Sequence, residues 1–103
     1  MARQGKASRG KHRWIGFQVE IGVPDRSSME EILENPLRDV DWRLYDFANF
    51  QNPVLCILRV DLSDSDNAIS ILNSIESIST MAKSGKIRLV RERMGLERPP
   101  RKR

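Results

Sequence analysis

The apolar positions of the chain change period several times, and each change marks an element. From Arg13 the residues alternate strictly, with Ile15, Phe17, Val19 and Ile21 on one side and Trp14, Gly16, Gln18 and Glu20 on the other. This is the pattern of a half-buried strand. Gly22 to Ser28 interrupts it. Ser28 with Glu31, or Ser27 with Glu30, then offers a capping box for a short helix to about Asn35, which Asn35–Pro36 stops. Residues 37–47 carry two patterns at once: Leu37, Val40, Leu44 and Phe47 recur at helical spacing, while Trp42 to Phe47 is rich in strand-forming aromatics. The polar break from Ala48 to Pro53 reads as a hairpin connection and favours a strand over 42–47. Val54 to Val60 is apolar on both faces, Val54, Cys56, Leu58 and Val60 on one and Leu55 and Ile57 on the other, as suits a central strand.

Asp61 or Ser63 can cap a second helix, along which Ala68, Ile71, Leu72, Ile75 and Ile78 form one stripe at spacings of three and four. That helix has Lys83 in its last turn and Gly85 just past its end. Lys86 to about Arg91 alternates again, with Ile87 and Leu89 inward, and reads as the last strand. The order predicts an α+β, ferredoxin-like β-α-β-β-α-β two-layer sandwich with basic flexible termini. Its helices cover one face of the sheet and leave the other open. Residues 1–12 hold no large apolar side chain after Met1 and are expected to be a disordered basic arm. The domain is expected over 13–93 and a basic tail over 94–103.

Charge sharpens this division. Residues 1–13 carry Arg3, Lys6, Arg9, Lys11 and Arg13 and no acid, a balance of +5. Residues 83–103 carry Lys83, Lys86, Arg88, Arg91, Arg93, Arg98, Arg101, Lys102 and Arg103 against Glu92 and Glu97, a balance of +7. Between them Arg26, Arg38, Arg43 and Arg59 face 12 acids, and the segment is −8. Basic arms flanking an acidic body suit a polyanion, because cations that neutralise phosphates release condensed counterions. The candidate RNA contacts are therefore Arg3, Lys6, Arg9, Lys11, His12, Arg13 and Trp14 at one end. At the other they are Lys86, Arg88, Arg91, Arg93, Arg98, Arg101, Lys102 and Arg103. Trp14, beside Arg13 and His12, either stacks on a base or sugar or covers the open sheet face. Leu55, Ile57 and Arg59 on that face are candidates for a protein partner, since a bare apolar patch is costly.

Catalysis by the chain finds little support. His12 is the only histidine and Cys56 the only cysteine. The histidine lies in the arm, and the cysteine alternates with core positions as a small hydrophobe. Asp61, Asp64 and Asp66 are explained by helix capping and lack the pattern of a calcium loop. Gly5 to Lys11 matches part of a phosphate loop by chance, with His12 where a Ser or Thr is needed. No catalytic residue, metal or cofactor is expected. The longest apolar run, Val54 to Leu58, is far short of the ~20 residues of a spanning helix. The basic start lacks the apolar centre of a secretory signal, and one cysteine permits no internal disulfide, so a cytoplasmic protein is expected.

These residues resemble a family, the small ferredoxin-like protein subunit of ribonuclease P and of its relative ribonuclease MRP, called protein component 2 in archaea. Lys11-His12-Arg13-Trp14-Ile15 is similar to the family's basic pair, aromatic and apolar alternation opening the first strand. Trp42 to Phe47, the connection through Pro53, and Ile57-Leu58-Arg59-Val60-Asp61 resemble its central hairpin and the exit into a helix. Gly85-Lys86 with Ile87 to Val90 is similar to the Gly-Lys turn into its last strand. Three features differ: the first connection holds one helix where the family has two, Met94-Gly95 only partly matches the family's glycine- and threonine-containing ending of the last strand, and a Pro-Pro basic tail stands where the family has a C-terminal helix. The resemblance implies a non-catalytic subunit of a ribonucleoprotein that removes the 5′ leader of precursor tRNA, with the RNA doing the chemistry. It implies ribonuclease P RNA, precursor tRNA and other ribonuclease P protein subunits as partners. A ribosomal or ribosome-associated RNA-binding protein is the alternative.

Overall fold

The alternation that begins at Arg13 is strand β1, His12–Val19, in the computed structural model, which describes residues 11–49 and 53–96. Helix α1 follows over Arg26–Glu34. Its cap is Asp25 and neither Ser27 nor Ser28: an Asp25 carboxylate oxygen accepts from the Ser28 N–H at 2.9 Å. That hydrogen bond lowers the Asp25 carboxyl below its ordinary value. Strand β2, Trp42–Ala48, and strand β3, Val54–Asp61, form the expected hairpin. The helical spacing of Leu37 and Val40 belongs to the turns before β2, where both residues are buried.

Beyond β3 the chain departs from expectation. A single 3₁₀ turn, Leu62–Asp64, leads into helix α2, Ser65–Ser74, and neither Asp61 nor Asp64 caps it with a side chain. The expected long helix ends ten residues early. Ile75 is already extended, Ile78 opens strand β4 (Ile78–Ser84), and Lys83 lies in that strand. Residues 87–94, expected as the last strand, form helix α3, Ile87–Met94. Gly95, not Gly85, is the left-handed terminator, at φ 74°. The Leu96 N–H donates to the Arg91 carbonyl at 2.8 Å and the Gly95 N–H to the Glu92 carbonyl at 3.2 Å, the pairing that closes a helix C-terminus around a glycine.

The four strands form one antiparallel sheet in the order β2-β3-β1-β4. Pairing partners share a face, so the sheet has two distinct sides. Ile15, Phe17, Val19, Cys56 and Leu58 pack with Met29 and Leu33 of α1 and with Ala68 and Leu72 of α2. On the opposite side Ala48, Leu55 and Ile57 pack with Val90 and Met94 of α3. The face expected to be open is therefore covered, and Leu55 and Ile57 are 6% and 0% exposed. Met94 is buried and Leu96 packs on the same cluster, so the folded part extends past residue 93. The rest of the two predicted basic ends, 1–10 and 97–103, lies outside the described residues.

Two contacts fix α3 on the sheet. Arg91 donates from Nε and Nη2 to the two Asp46 carboxylate oxygens at 2.7 and 2.9 Å. Gly16 provides the space beneath the helix, because a Cβ there would overlap Met94 Sδ and stand 2.8 Å from Val90 Cγ1. The methionine can swing aside, but the β-branched valine cannot. Gly16→Ala is expected to cost about 1–3 kcal/mol by overpacking, read as a lower urea midpoint. An unchanged midpoint would show that α3 is not seated on Gly16.

Candidate nucleic-acid interface

Antiparallel pairing of β1 with β4 sets Trp14 opposite Ser84 and Ile15 opposite Lys83. The basic start of β1 and the basic end of β4 are thereby brought to one end of the sheet. The Arg13 guanidinium reaches the Gly85 turn, with Nη1 3.3 Å from the position a Gly85 Cβ would take. Arg93 of α3 comes to the same end, its Nη1 donating to the Lys83 carbonyl at 3.4 Å. Lys86 stands at the head of α3, which has neither a side-chain cap nor an acid in its first turn. Lys83 pairs at 3.4 Å with Asp66, whose side chain is 94% exposed, so the pair is solvent-screened and weak. Among the described residues Lys11, Arg13, Lys86 and Arg93 have no salt-bridge partner.

Beside this rim, on the side of the sheet that carries α3, one row crosses the strands: Arg43 of β2 opposite Arg59 of β3, opposite Trp14 of β1, opposite Ser84 of β4. Tyr45 follows Arg43 on the same side, at a bulge between Leu44 and Asp46. The bulge is held from the other side, where Arg26 of α1 donates from Nη2 to the carbonyls of both Leu44 and Tyr45. The Tyr45 ring meets Trp14 edge-on, with centroids 4.7 Å apart and planes at 88°. The Arg59 guanidinium lies 5.7 Å from the Tyr45 centroid, within cation–π range.

The expected contacts thus divide. Lys11, His12, Arg13, Trp14, Lys86 and Arg93 lie at one end of the sheet. Arg88 is exposed on α3. Arg91 does not join them, since its guanidinium is committed to Asp46, which also raises its already high affinity for a proton. Arg3, Lys6, Arg9, Arg98, Arg101, Lys102 and Arg103 lie outside the described residues. Leu55 and Ile57, expected to meet a partner, are sealed beneath α3, whereas Arg59 joins the aromatic row. Tyr45 and Arg43 were missed. Alternation with Trp42 and Leu44 sets both on the opposite face, but only the β2–β3 register brings them beside Arg59 and Trp14.

The one cysteine lies in the core, as its alternation predicts. Cys56 is 0% exposed, and burial, the largest cause, pushes its thiol from 9.0 up to about 12. Cys56→Ala is expected to cost about 1–2 kcal/mol and to leave RNA affinity unchanged. The raised folded value favours the native state fully below pH 9, and this contribution fades as pH climbs toward 12. The stability gap between the wild type and the alanine variant should therefore narrow across that window. A gap that widens would contradict a buried neutral thiol.

No helix among the described residues is long and apolar enough to cross a membrane. Comparison of the chain with protein-family models, curated proteins and solved structures finds no match.

Proposed function

We propose that the protein is an RNA-binding subunit of a cytoplasmic ribonucleoprotein, and that the ribonucleoprotein is ribonuclease P, in which RNA removes the 5′ leader of precursor tRNA. The observation that carries the RNA reading is the gathering of Lys11, Arg13, Lys86 and Arg93 at one end of the sheet, without carboxylate partners among the described residues. Phosphates are the counterions such a surface suits, and the sequence on either side, 1–10 and 97–103, continues the positive charge.

The choice of ribonucleoprotein rests on the resemblance and on architecture. The strand order β2-β3-β1-β4 with two β-α-β crossovers supports a ferredoxin-like sandwich. Helix α3 follows the last strand directly. The resemblance implies a C-terminal helix, so α3 removes one of the three differences. But Ile87 to Val90, which resembled the family's last strand, lie in that helix, and the resemblance is left to β1, β2 and β3. Fold alone does not fix function, and the bound RNA decides. The full chain, purified from its own cells at low salt, should enrich ribonuclease P RNA and other ribonuclease P proteins. Enrichment of ribosomal RNA would make it a ribosome-associated protein, and no RNA above background would overturn the RNA reading altogether.

A further inference from the structure

We infer that the row formed by Arg43, Arg59, Trp14 and Tyr45 is a site for an unpaired RNA nucleotide, whose base stacks on the Tyr45 ring, braced by Trp14 at right angles to it, and whose phosphate lies between the two arginines. The inference rests on the RNA reading above and goes beyond it, because a cationic rim alone would hold duplex and single strand alike.

The argument begins with a local conflict. Arg43 and Arg59 stand directly opposite each other on neighbouring strands, and like charges so placed repel. Among the described residues neither has a carboxylate within salt-bridge distance. Of the acids on that face, Asp46 is taken by Arg91, and Asp61, at the end of β3 opposite His12, makes no salt bridge with either arginine. Bound phosphate would supply the missing anion, and an exposed Arg43 beside a half-buried Arg59 gives it one accessible and one ordered donor.

The aromatics are arranged for the base. Tyr45 follows Arg43 on the α3 side by ordinary alternation, the bulge sets Asp46 on that side as well and leaves Tyr45 without a directly opposed β3 residue, and Arg26 ties down the bulge carbonyls. Trp14 packs against the apolar cluster under α3 at one side and against the Tyr45 ring at the other. Both rings are half-buried, which orders them before a ligand arrives and lowers the entropy lost on binding. A base offers a π-face to such a platform whatever its sequence. In an RNA duplex that face is already occupied by neighbouring bases.

The test compares two probes on the full chain at low salt by fluorescence anisotropy: a labelled eight-nucleotide oligouridylate and a labelled 16-base-pair RNA duplex. Tyr45→Ala should weaken the oligouridylate by about fivefold or more, the lower end of the loss of one stacked base, and the duplex by less than about twofold. Arg43→Ser, at an exposed position that leaves the fold intact, should make the oligouridylate salt slope shallower by about 0.7, one single-strand phosphate. Equal losses on both probes for Tyr45→Ala, or an unchanged slope for Arg43→Ser, would overturn the nucleotide site while leaving the RNA reading in place. Failure of the unaltered protein to bind either probe in a salt-dependent manner would overturn both.

Discussion

Ile57→Glu is expected to unfold the isolated domain. Ile57 is fully buried between Gly16 on β1 and the Val90 and Met94 side chains of α3. Its replacement removes a large apolar contact, which costs about 2–5 kcal/mol in a core. It also places a carboxylate in the apolar layer under α3, where the Arg91 guanidinium is already held by Asp46. The charge must ionise in an apolar layer or take up a proton, and either adds several kcal/mol. Against a total stability of about 5–15 kcal/mol for a domain of this size, little or nothing remains. Far-ultraviolet circular dichroism with urea titration reads the outcome. A folded variant with a normal midpoint would mean that the Ile57 face is accessible and that α3 does not cover it. Arg59→Glu, two residues on along the same face, provides the contrast: it lies beyond α3 in the aromatic row, and the domain should stay folded.

That contrast marks where the sequence was legible and where it was not. β1 and β3 were readable because their inward residues follow a period of two, and β2 because Trp42 to Phe47 is rich in strand-forming aromatics and Ala48 to Pro53 breaks the pattern before β3. Both apolar faces of β3 were also readable, but not the reason for them. Leu55 and Ile57 are apolar because a helix covers them, and that helix lay hidden in a stretch that alternates. In Lys86 to Arg91 the alternation places Ile87 and Leu89 together. The helix instead buries Val90 and Met94 with Ile87 at its margin, at spacings of three and four, and leaves Leu89 37% exposed.

The early end of α2 was concealed for a related reason. Ile75 and Ile78 continue its stripe at the right spacing, yet Ile78 belongs to β4 and points to the same core from a strand. No glycine or proline marks the stop, which is made by the backbone turning extended at Ile75. β4 itself alternates poorly, since a register shift opposite Gly16 and Phe17 leaves Met81 without a β1 partner on an edge strand, where it is 46% exposed. The candidate site divides in the same way. Cations were visible in the composition, but the row of Arg43, Arg59 and Trp14, with Tyr45 beside it, exists only through cross-strand register.

The second large effect is on salt dependence. Deleting 1–10 together with 98–103 removes Arg3, Lys6, Arg9, Arg98, Arg101, Lys102 and Arg103, while every described element from His12 to Met94, and Leu96 on its apolar cluster, is retained. The domain should therefore fold with an unchanged urea midpoint. If half of those seven cations meet phosphate, the slope of log affinity against log salt becomes shallower by about 2–3, at 0.7–0.9 per phosphate. Between 50 and 200 mM salt such a change alters the fall in affinity by roughly 30-fold, well beyond the error of a filter-binding titration on the copurified RNA. Binding should persist at low salt, because Lys11, Arg13, Lys86 and Arg93 remain at the end of the sheet with Arg88 nearby in sequence. Arg91 adds nothing to this residue of affinity, since Asp46 already neutralises it. A truncated protein with an unaltered slope would confine the RNA to the rim and the aromatic row. Charge reversal at Lys86 and Arg93 in that background should then abolish what binding is left.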